Sequence, residues 1–142
     1  MKFGIGTAQF IKKYGYARAN IDLLKYFETL NKSKIDMIDT AQVYGKAQLE
    51  IGKNLKRKNK KKIVTKIVSM GKINKLKKLE YFKRNFESSL RKLKIDNIHG
   101  LLFHDERDIF QNDNFYKYID NLKKYKIIRK FGYSTYKIKN FV

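Results

Sequence analysis

The chain has 142 residues, a formal net charge of +21, 42% hydrophobic and 14% aromatic residues, and no cysteine, proline or tryptophan. That is the size of one ordinary domain with enough apolar content for a buried core, which argues against wholesale disorder. No apolar run approaches the roughly 20 residues of a membrane span, and the lack of cysteine removes disulfides and thiolate metal sites.

The first predicted element is KFGIG at 2–6, a short strand ending in glycine. GTAQFIKKYGYARAN then forms a loop. Asn20 is the expected cap of a helix over 21–31, with Ile21, Leu24, Phe27 and Leu30 at helical spacing. IDMID at 35–39 reads as the second strand, TAQVYG as a loop, and 46–56 as a helix with Ala47, Ile51 and Leu55 on one face. KKIVTK at 61–66 is the third strand. A longer helix over roughly 76–93 places Leu76, Leu79, Phe82, Phe86, Leu90 and Leu93 at spacings of three or four. IHGLLF at 98–103 is the fourth strand. HDERDIFQND follows as a loop whose Asp113 is expected to cap a helix over 114–125, with Phe115, Ile119 and Leu122 facing one way. RKFGYS at 129–134 is the fifth strand, and TYKIKNFV begins a further connection.

Five strands alternating with four helices predict an α/β fold with a parallel sheet and right-handed crossovers, without an internal domain boundary. A barrel and a doubly wound open sheet fit that alternation about equally. GIGTAQF lacks the third glycine of the dinucleotide fingerprint, which weighs against a Rossmann reading.

The charge invites a nucleic-acid or anionic-membrane reading. Its make-up argues for a solvated surface instead. Most of the basic residues are Lys, whereas phosphate and base recognition leans on the planar fork of Arg. Abundant Lys, Asn, Ile, Tyr and Phe also match the codon bias of an AT-rich genome. The KRKNKKK run at 56–62 reads as a solvated connection in the same way. A non-catalytic, Lys-rich nucleic-acid-binding protein is therefore the alternative reading, and no specific nucleic acid or membrane partner is expected. MKFGIGTAQF shows no secretory h-region, so a cytoplasmic location is expected. Two histidines without cysteine offer no recognisable metal-ligand spacing.

Chemistry in parallel β/α proteins collects at the C-terminal ends of the strands. Asp39, Lys66 and His104 each fall there, after the second, third and fourth strands, and Tyr44 lies five residues beyond Asp39. Singly, each has a plain structural reading: Asp39 as a cap, Tyr44 as a core-edge aromatic, Lys66 as a surface charge, His104 as a partner for Asp105. Together, IDTA with Asp39, YG with Tyr44, TK with Lys66 and LLFH with His104 resemble the catalytic segments of the aldo-keto reductases in order and spacing. GTAQF and IRKFGYSTY also look like family segments.

The resemblance implies the first five strands of a TIM-type (β/α)8 barrel, an N-terminal portion over 1–142, because a whole barrel takes roughly 250 residues. It implies NADPH, or NADH, as cofactor and a small-molecule aldehyde or ketone as substrate. Tyr44 is then the proton donor, with Lys66 as the cation that favours its phenolate, Asp39 holding Lys66, and His104 donating to the carbonyl oxygen. Thr7, Asp39 and Ser134 become the cofactor contacts. Thr135 stands where many members carry Asn, and Gln48 where many carry Glu. A half barrel is also expected to bind NADPH weakly by itself and to expose sheet edges at strands one and five, which favours self-association.

Overall fold

Five short runs, each holding at least one buried or half-buried apolar residue, are strands in the computed structural model, which describes residues 3–10, 21–56, 60–109, 112–135 and 137. The elements alternate as β1 (Gly4–Gly6), α1 (Leu23–Lys32), β2 (Met37–Asp39), α2 (Ala47–Asn54), β3 (Lys62–Ile67), α3 (Lys78–Leu93), β4 (Ile98–Phe103), α4 (Asp113–Lys124) and β5 (Ile128–Tyr133). Short 3-10 turns at Lys75–Lys77 and Glu106–Asp108 precede α3 and α4. All neighbouring strands pair in parallel, in the order β1-β2-β3-β4-β5. A doubly wound sheet reverses its strand order at a switch point. The uninterrupted order here is that of consecutive units of a (β/α)8 barrel, present as five strands and so incomplete.

Side chains alternate across a strand, and paired residues of parallel strands share a face. One face carries Ile38, Ile63, Thr65, Ile67, Leu101 and Phe103, all buried. Phe82 of α3 packs edge-on to Phe103 and to Phe115 of α4, and Phe131 of β5 closes the same aromatic cluster. The other face carries Asp39, Val64, Lys66, Leu102 and Gly132, and apart from Lys66 these are only half-buried. The helices thus cover one side of the sheet and leave the functional side accessible.

α2 and α3 approach so closely that a Cβ on Gly52 would lie 2.0 Å from the Lys92 carbonyl oxygen. Only glycine fits that crossing. No helix among the described residues is long and apolar enough to cross a membrane.

Several boundaries differ from the sequence expectations for identifiable reasons. Asp22 caps α1, its Oδ1 accepting from the Leu24 and Lys25 amides at 3.1 Å each; Asn20 lies outside the described residues. Leu24 falls in the exposed first turn of α1, at 72% exposure, while Phe27 and Leu30 are buried as expected. Asn112, not Asp113, caps α4 by accepting from the Phe115 amide at 3.0 Å. Asp113 is instead the first helical residue, where its charge faces the positive end of the helix dipole. Leu76 sits in the 3-10 turn rather than in α3 and is 92% exposed.

Candidate active site

The C-terminal end of the sheet gathers the predicted polar residues because the backbone ladder runs on past each strand. The Thr7 amide donates to the Asp39 carbonyl at 3.0 Å, His104 to Ile67 at 3.1 Å, and Ser134 to Phe103 at 2.9 Å. Asp39 is the last residue of β2, while Lys66 lies inside β3 rather than beyond it, one residue short of its end. Tyr44 lies in the turn before α2. Gly45, at φ 60°, redirects the chain there in a left-handed conformation that a side chain would strain.

Lys66 is the hub. Its side chain is almost fully buried, and Nζ sits 2.6 Å from both Asp39 carboxylate oxygens. The same ammonium lies 5.4 Å from the centroid of the Tyr44 ring. The Tyr44 and His104 rings meet edge to face, with centroids 6.1 Å apart. The structure therefore brings Asp39, Tyr44, Lys66 and His104 into one cluster. A buried ammonium demands a counter-charge, and Asp39, still 42% exposed, supplies it while remaining in reach of solvent.

Burial is the main cause that lowers the His104 pKa, and the Lys66 charge lowers it further; Asp39, Asp105 and Asp108 oppose. The imidazole is thus neutral at pH 7 and carries one N–H. Its Nδ1 is buried with no hydrogen-bond partner. Next to it, Arg107 grips Asp105 and holds that carboxyl at about 2.

Two glutamines do positioning work that single-residue reasoning did not find. Gln42 accepts from the Val68 amide at 2.9 Å and donates to the Asn85 carbonyl at 2.7 Å. It thereby ties the Tyr44 turn to the end of β3 and to α3. Gln48, buried in α2, donates to Thr65 Oγ1 at 2.8 Å and Ser89 Oγ at 3.1 Å. The only sequence signal for Gln42 was its place inside the IDTAQVYG segment.

Of the expected cofactor contacts, Thr7 is fully buried, and its hydroxyl donates to the Asp39 carbonyl at 3.1 Å. Ser134 is half-buried and lines a groove of about 370 Å³ together with His104, Asp105, Glu106, Arg107 and Thr135. A groove of that size falls within the range of small-molecule sites. The orphaned His104 nitrogen belongs to the same lining. Among the described residues no cluster of three or more His, Asp or Glu is arranged to hold a metal ion.

The fold and the cluster together define a parallel β/α barrel-type protein with a Tyr–Lys–His–Asp constellation at its strand ends. The aldo/keto reductase family model matches residues 2–141, and the chain belongs to that family. A Pseudomonas aeruginosa protein assigned to the aldo-keto reductases is similar at 28% identity and a TM-score of 0.72, over 92% of this chain and 54% of that one. The holo form of an aldo-keto reductase from Bacillus halodurans, 23% identical, is similar in fold with a TM-score of 0.69, over 95% of this chain and 46% of its own. The chain spans about half the length of these structures. None of the curated proteins compared with it matches.

Proposed function

We propose that this chain carries the proton-donating part of an NAD(P)H-dependent reductase that converts an aldehyde or ketone to an alcohol. The observation that carries the reading is the Lys66 ammonium, clamped on Asp39 at 2.6 Å and set beside the Tyr44 ring, with the His104 ring meeting that ring edge to face. A nicotinamide held near Thr7, Asp39 and Ser134 would supply the hydride when bound.

The remaining roles belong to the chain itself. Tyr44 delivers the proton from its Oη to the substrate oxygen. A free phenol is a reluctant acid, with a pKa near 10, and a neighbouring cation stabilises the phenolate left behind. Lys66 is that cation. Asp39 keeps Lys66 in place; Thr7, through its bond to the Asp39 carbonyl, fixes the strand end from which Asp39 projects. Neutral His104 donates its N–H to the carbonyl oxygen, orienting it and stabilising charge as it develops. Gln42 holds the turn that presents Tyr44.

Tyr44→Phe keeps the ring contact with His104 and removes only the proton. In the protein that carries this chain, carbonyl reduction should fall by about 10²- to 10⁴-fold, the usual worth of a positioned acid. Unchanged turnover would remove Tyr44 from the mechanism.

A further inference from the structure

The opposite end of the sheet holds a second concave site that the reductase reading does not use. Lys62 opens β3, and His99 and Arg129 are the second residues of β4 and β5. With Lys60, Lys61 and Asn97 they line a cavity of about 170 Å³. Its apolar lining is Ile63 and Ile95, both buried.

Charge there is far out of balance. Asp96 sits between the lining residues Ile95 and Asn97, and Asp36 is taken by Lys62 at 3.1 Å. The Lys61 ammonium donates to the Ile35 carbonyl, which carries no charge to answer it. Lys60 and Arg129 form no salt bridge among the described residues. Lys60, Lys61, Lys62 and Arg129 around a recess with an apolar wall raise the positive potential there. His99 reports that field. Burial lowers its pKa most, then Lys62, Arg129 and Lys130 in turn, while Asp36 pulls weakly the other way.

Size narrows the guest. About 170 Å³ is roughly the share of six water molecules and lies below the roughly 300–1,000 Å³ of sites for drug-sized ligands. A single tetrahedral oxyanion fits and a dinucleotide does not. Arg129 offers a planar fork suited to two oxygens of one phosphate, and the lysines add point charges.

We propose that this cleft is an anion site for the phosphate group of a small phosphorylated molecule, at the end of the sheet remote from Tyr44. The chain has two histidines, one at each end of β4, so each end has its own reporter. Imidazole NMR titrations of the 142-residue chain, with and without inorganic phosphate and with chloride balancing ionic strength, test it. Phosphate should raise the His99 midpoint by about half a pH unit or more, since a nearby anion favours the imidazolium. His104 should not move, and Arg129→Gln should lose most of the response.

Equal movement of both histidines, movement of neither, or a wild-type response in Arg129→Gln would each overturn the proposal. A short oligonucleotide without terminal phosphate that moves His99 where inorganic phosphate does not would overturn it in favour of nucleic-acid backbone. No turnover is measured, so the outcome is independent of the reductase reading.

Discussion

His99 and His104 stand at opposite ends of one strand, and both are depressed by burial first and by lysine second. The resemblance stops there. At the His104 end the lysine is buried and matched by a carboxylate, with an aromatic ring set against both. At the His99 end the cations crowd a recess with one engaged carboxylate among them. A paired cation beside a phenol is a device for moving a proton. A set of cations that outnumbers its carboxylates is suited to receive an anion. Total charge distinguishes neither; the pairing does.

The largest effect that would break this contrast concerns Lys66. Lys66→Met keeps the length of the side chain and removes the charge. In the protein carrying this chain it should cut carbonyl reduction by roughly 10²- to 10³-fold, the typical cost of removing one electrostatic contributor to a transition state. Activity near wild type would show that the matched cation is merely structural.

Next in size is the scaffold shared by the two ends. Gly52→Ala drives a methyl group to 2.0 Å from the Lys92 carbonyl. Overpacking of that kind costs about 1–3 kcal/mol or more, and the better helix propensity of alanine returns only about 1 kcal/mol. A 2.0 Å approach to backbone lies at the upper end of that cost, so the net should be a loss of about 2 kcal/mol in urea denaturation. A neutral or stabilising result would mean that the two helices can separate there freely.

Smaller again is the pH dependence. Both histidines have folded pKa values below their unfolded ones. The unfolded state therefore binds protons first on acidification. Their contribution is complete above the ordinary histidine value near 6.5 and is lost as pH falls through the lowered folded values. Denaturation midpoints should drop between about pH 7 and 5, and His104→Asn should remove part of that slope. Asp105, held at about 2, contributes to a separate loss at far lower pH. A flat profile above pH 5 would contradict the assignment for both imidazoles.

Much of this architecture was legible in the residues. IHGLLF became a strand over its predicted span because an apolar, β-prone run flanked by polar turns leaves little choice. That Asp39, Tyr44, Lys66 and His104 would meet was legible because they sit in recognisable segments at or near strand ends. Helix starts were less so. Period alone assigns Leu24 and Leu76 to buried faces, but neither Asp22 nor Asn74 announces which turn it will cap; each helix starts two residues later than expected, and both leucines are in solvent. The glutamine braces were hidden for another reason. Gln42 and Gln48 find partners 17 to 47 residues away, and only tertiary contact creates those bonds. The cationic recess was concealed likewise, since three strands contribute to it and each lysine alone reads as surface.

The most direct test of the central claim, that the Lys66–Asp39 pair sets the electrostatics of the site, is an imidazole titration in two variants of the 142-residue chain. Lys66 lowers the His104 pKa and Asp39 raises it. Lys66→Met should therefore move the His104 midpoint up and Asp39→Asn should move it down, with His99 stationary in both. If His104 does not respond, or responds in the same direction to both changes, the pair does not govern the site and the proton-donating account fails.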